Sequence, residues 1–92
     1  MIAVLAVTHA AYRDWCQATN RTVFDKDVVE IRTIADARAH RFDHVVRIGP
    51  WWRRYGYSIV GFNTSEEILS EIRAHLNPGA TFELWNRETT DG

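Results

Sequence analysis

Ile2-Ala3-Val4-Leu5-Ala6-Val7 begins the chain as an unbroken apolar run, and Thr8-His9-Ala10-Ala11 follows it directly. A strand that is wet on one face alternates apolar and polar residues, whereas one covered on both faces has no need to. Six apolar residues in succession therefore predict a central parallel strand with helices above and below it.

Working outward, Thr8 is placed to cap a helix on which Ala11, Tyr12, Trp15, Cys16 and Thr19 recur at helical spacing, with Asn20 as its stop. Asp27–Thr33 alternates, Val29, Ile31 and Thr33 opposing Val28, Glu30 and Arg32, which predicts a strand less deeply buried than the first. Thr33-Ile34-Ala35-Asp36 reads as a capping box for a short helix ending near His40. Asp43–Ile48 is a third strand, and Gly49-Pro50 forces a turn because proline cannot continue a ladder. Residues 51–62 show no clear period. Thr64-Ser65-Glu66-Glu67 then starts a helix with Ile68, Leu69, Ile72 and Leu76 as its stripe, stopped by Asn77-Pro78-Gly79. Thr81–Trp85 is the last strand.

Strand–helix alternation of this kind argues for a sheet wound by right-handed crossovers. The expectation is a small Rossmann-like α/β fold: a mostly parallel sheet of about four strands with helices on its faces. One domain should cover residues 1–87, leaving 88–92 as a flexible tail.

A chain of 92 residues can build one core, and 46% hydrophobic residues with 25% charged place it among globular domains and not among disordered ones. A net charge of -1 gives no general attraction to nucleic acid or anionic membrane. The distribution is less even. Residues 32–54 hold six arginines against Asp36 and Asp43, and residues 63–92 hold six acids against Arg73 and Arg87. Together with four tryptophans, that asymmetry motivates a homodimer. The lone Cys16 excludes an intrachain disulfide and suits a reducing cytoplasm. The first apolar run lacks the basic start of a signal peptide, and nothing reaches membrane-spanning length, so a cytoplasmic protein is expected.

The chemistry concentrates in Arg47-Ile48-Gly49-Pro50-Trp51-Trp52-Arg53-Arg54-Tyr55-Gly56-Tyr57. In open α/β sheets, ligands sit beyond the carboxyl ends of strands where the winding reverses. With the first strand between the second and third, the loop after strand 3 meets the one carrying His9, and Arg32 ends nearby. The candidate contact set is therefore Trp51, Trp52, Arg53, Arg54, Tyr55 and Tyr57 with His9 and Arg32. Trp, Tyr and Arg are the residues that dominate protein interfaces. The same set of imidazole, guanidinium and indole groups would also suit a phosphate and a base. Packing is the competing role for the tryptophans: one or both could seal the end of the core.

Catalytic signatures are missing. Strand 1 runs into Thr-His-Ala-Ala with no Gly-rich phosphate loop, which weakens dinucleotide binding. Cys16 falls on an apolar helix face, His9, His40, His44 and His75 lack metal-ligand spacing, and Glu66, Glu67 and Glu71 fit the solvated start of a helix. No enzyme, cofactor or metal is expected.

Val7–Trp15 and Arg41–Trp52 together resemble segments of small uncharacterised α/β proteins encoded by actinobacterial phages. The resemblance implies no particular activity, only an accessory or host-interaction role. The expectation is a non-enzymatic module that contacts another protein, such as a host protein, through the Trp/Arg loop. The alternative is a nucleotide or nucleic-acid binder at the carboxyl ends of strands 1–3.

Overall fold

The computed structural model of the protein describes residues 1–55 and 64–85. The chain runs β1 (Ile2–Ala6), α1 (His9–Ala18), β2 (Val28–Glu30), α2 (Ile34–Arg38), β3 (Phe42–Ile48), a 3-10 turn (Trp51–Arg54), α3 (Ser65–Ala74) and β4 (Leu76–Trp85). The strands lie in the order β2-β1-β3-β4, and every pairing is parallel. This is the small Rossmann-like α/β sheet that the alternation predicts.

The apolar run of β1 earns its central place by packing on both faces. Ala3, Val4, Leu5 and Ala6 are completely buried. Ala3 and Leu5 face a layer built from α2 and α3 with Ile31, Val45, Ile68 and Ile72. Val4 and Ala6 face α1, against Tyr12, Trp15, Cys16 and Val46. Truncating Leu5 to Ala would leave a void at the middle of this arrangement, at a cost of about 2–5 kcal/mol.

The helix starts follow their capping chemistry. Thr8 Oγ1 accepts from the Ala11 amide at 3.1 Å. Thr64 Oγ1 accepts from the Glu67 amide while Glu67 Oε1 accepts from the Thr64 amide, both at 3.2 Å. Each cap satisfies amides that the first helical turn leaves orphaned.

Two strands differ from the sequence expectation by more than one residue at a boundary. The Asp27–Thr33 strand is reduced to Val28–Glu30, because the Asp36 carboxylate accepts from the Arg32 and Thr33 amides at 2.9 Å and turns them into the cap of α2. The last strand begins at Leu76 and not at Thr81. Phe42 pairs with Leu76, but His44 pairs with Thr81, so residues 77–80 form a bulge on β4. Gly79 takes φ of 82° there, a conformation that a side chain disfavours. Leu76, expected on the stripe of the last helix, belongs to this strand, while α3 ends at Ala74. The 88–92 tail and Tyr57 lie outside the described residues.

Candidate functional site at the carboxyl ends of β1 and β2

The winding reverses at β1, which has β2 on one side and β3 on the other. The segments that leave β1, β2 and β3 therefore converge at one end of the sheet, and a carboxylate lies at their meeting point. Glu30 is the last residue of β2, and its side chain is only 5% exposed. A buried carboxylate needs partners, since removing it from water costs several kcal/mol.

The converging segments supply them. His9, opening α1, places Nδ1 2.8 Å from Glu30 Oε1. Arg54, ending the 3-10 turn, donates to Glu30 Oε2 at 2.8 Å and to the Ala6 carbonyl at 3.3 Å. Arg32 brings Nε to 3.6 Å from Oε1. His9, Arg32 and Arg54 are thus gathered as the sequence suggests, but around an acid that sequence reasoning left out. The signal was there: Glu30 is the one acid in the Val28–Arg32 alternation, on the same side of it as buried Val28. An acid at the carboxyl end of a strand beside the reversal point is a candidate ligand or ion-pair centre.

The 3-10 turn is held from a second direction. The Tyr55 hydroxyl donates to the Ile31 carbonyl, and burial raises its phenol well above the ordinary value. Trp51 is 9% exposed and packs with Tyr55 at 6.2 Å between ring centroids. Trp52 stands edge-on to Trp51 at 85° and is 53% exposed. One tryptophan seals the core and its neighbour faces water, because the 3-10 turn points the two adjacent side chains in different directions. Arg53 is exposed and has no carboxylate within ion-pair distance among the described residues.

The candidate contact set therefore divides. Trp51, Arg54 and Tyr55 point inward and build the platform. Trp52 and Arg53 project from it. His9 and Arg32 border a separate open groove of about 410 Å³ that Tyr12, Phe24, Glu30 and Asp36 also line. Phe24 is a large apolar side chain left almost fully exposed at the rim.

Cys16 is buried on the sheet-facing side of α1, and desolvation raises its thiol above the usual range, the opposite of what a nucleophile requires. Among the described residues, no three His, Cys, Asp or Glu side chains are grouped as a metal site. No helix among them is long and apolar enough to cross a membrane. Compared with protein-family models, curated proteins and solved structures, the chain matches none of them.

Proposed function

We propose that the protein is a non-enzymatic binding module, an accessory or host-interaction protein, that contacts a partner polypeptide through Trp52 and Arg53. One observation carries this reading. Trp52 is an exposed indole on a turn immobilised from beneath by the Trp51, Tyr55 and Arg54–Glu30 contacts. A large side chain already held in place loses little entropy on docking, which is how tryptophan anchors act in interfaces. Arg53 beside it adds an exposed guanidinium with no carboxylate within ion-pair distance among the described residues.

A photo-crosslinking amino acid at position 52, expressed in the source cell, tests the proposal. It should capture a discrete protein species that the same group at exposed Lys26 does not, and Arg53→Glu should reduce the yield. Equal, diffuse capture from both positions would remove the proposal.

The groove favours a second reading. Phe24 offers a ring face, Arg32 a guanidinium and His9 an imidazole, a combination that suits a nucleoside phosphate. A nucleotide-panel thermal shift separates the readings, because a ligand at a hundred times its Kd stabilises the native state by about 2.7 kcal/mol.

A further inference from the structure

The outer edge of β4 is distinct from the Trp52 platform, and its chemistry is specific enough to name an occupant. Among the described residues β4 pairs only with β3, so half of its main-chain groups have no strand to meet. Their direction follows from one hydrogen bond. The Trp85 carbonyl accepts from the Gly49 amide, at the end of β3, at 3.1 Å. Main-chain groups alternate along a strand, so Thr81, Glu83 and Trp85 address β3 while Phe82 and Leu84 present N–H and C=O to the outer edge.

Exposed edges are usually blunted by proline, bulges or charge. Proline and a bulge occur in β4 only in its first half, at Pro78 and residues 77–80, and the one charge of the second half, Glu83, is paired with His44. Residues 81–85 read Thr-Phe-Glu-Leu-Trp, without proline or cation. Phe82 and Leu84 share the α3 side of the sheet and are 39% and 65% exposed.

Charge on that side selects the partner. The guanidiniums of Arg47 and Arg73 lie over the Phe82 ring at 5.8 and 5.9 Å. Neither has a carboxylate within ion-pair distance among the described residues, and the buried Arg47 Nε makes no hydrogen bond. Glu83, the one acid of β4, lies on the other side of the sheet and is engaged by His44 at 3.0 Å. A second copy paired edge to edge about Phe82 would bring four guanidiniums together, which like-charge repulsion disfavours. An acidic strand supplies what the edge lacks.

We propose that the outer edge of β4 receives an extended acidic segment of another polypeptide. The segment adds a fifth strand on the main-chain groups of Phe82 and Leu84, with its carboxylates on the α3 side meeting Arg47 and Arg73. This is strand addition with charge-selected side chains. It does not rest on the Trp52 reading.

The test uses the full chain and three labelled, end-blocked hexapeptides: alternating Glu and Val, alternating Lys and Val, and the Glu/Val peptide with a central proline. Fluorescence anisotropy should show saturable binding of the Glu/Val peptide, weakened by salt, with the other two at least about ten-fold weaker. Amide shifts in nuclear magnetic resonance should centre on Phe82 and Leu84. Leu84→Pro removes an N–H that β3 does not use, so it should abolish binding with the circular dichroism spectrum retained. Arg47→Gln and Arg73→Gln should each weaken binding several-fold and serve if Leu84→Pro fails to fold. Trp52→Ala should leave binding unchanged, which keeps this outcome separate from the fate of the Trp52 proposal. Equal affinity for the Lys peptide, no saturable binding of the Glu/Val peptide, or a Leu84-dependent homodimer that the peptide does not disrupt would each overturn the inference.

Discussion

At the carboxyl end of β2, Arg54 and His9 close on Glu30 at 2.8 Å and leave its carboxylate almost inaccessible. At the outer edge of β4, Arg47 and Arg73 lie over an aromatic ring and meet no acid among the described residues. Both regions are rich in arginine and both sit on the same small sheet, yet they put the guanidinium to opposite uses. In the first, three segments that are distant in sequence converge on one carboxylate, so the pair ties the loop after β1 to the 3-10 turn. In the second, cation and ring are held together and the complementary charge is left to come from elsewhere. An arginine is structural or available according to whether the fold has already brought it an acid.

That contrast can be broken most forcefully at the platform. Trp51 closes the α2–α3 layer at its end, and Trp51→Ala should cost about 3–5 kcal/mol, seen as a large drop in the urea midpoint. A loss under about 1 kcal/mol would mean that the turn is not part of the core.

The Glu30 cluster comes next. Arg54→Met leaves a buried carboxylate with only His9 and Arg32 to answer it. Because Arg54 keeps some solvent contact, the expected loss is about 2–3 kcal/mol, below the full value for breaking a buried pair. Arg73→Gln at the open edge should change stability by less than about 0.5 kcal/mol. Equal losses at the two sites would erase the distinction between them.

Tyr55 sharpens it further. Its hydroxyl donates to Ile31, and burial raises its phenol, with Arg54 opposing the shift. The native state therefore holds this proton more tightly than the unfolded chain does. The resulting stability is complete below the ordinary phenol value of about 10 and falls as pH rises above it. Tyr12 is raised too, chiefly by burial, and acts in the same direction. Tyr55→Phe should cost about 1 kcal/mol at neutral pH by losing the hydrogen bond, and should make alkaline unfolding shallower. Denaturant melts at neutral and alkaline pH read both effects.

The fold was legible because Ile2–Val7 carries its own evidence: only a strand covered on both faces tolerates such a run, and that fixes its neighbours and the helices. Boundaries were less so. The end of β2 is decided by the Asp36 carboxylate reaching back to Arg32, and the start of β4 by a bulge, and neither leaves a periodic trace. His9, Arg32 and Arg54 were identified from topology, while Glu30 was not. Its alternation with valines read as ordinary strand pattern, and its burial depends on partners that arrive from residues 9 and 54. The open edge was invisible for a related reason. Phe82 and Leu84 look like core residues in the sequence, and only the strand order shows that nothing described stands beyond them.

Trp52 is where the smallest change in stability should accompany the largest change in association. It is 53% exposed and touches Trp51 only edge-on, so Trp52→Ala removes one aromatic contact and little buried area. Its cost should stay within about 0.5 kcal/mol. Partner capture, if Trp52 is the anchor, should fall by at least about ten-fold, since truncating a hot-spot tryptophan costs 2 kcal/mol or more of binding. Urea denaturation and crosslinking yield, measured on the same preparation, give both numbers. A destabilised Trp52→Ala would place this indole with Trp51 in the core seal. A stable variant that still captures its partner would leave the platform intact but move the contact elsewhere, and Arg53→Glu would then show whether the guanidinium alone carries it.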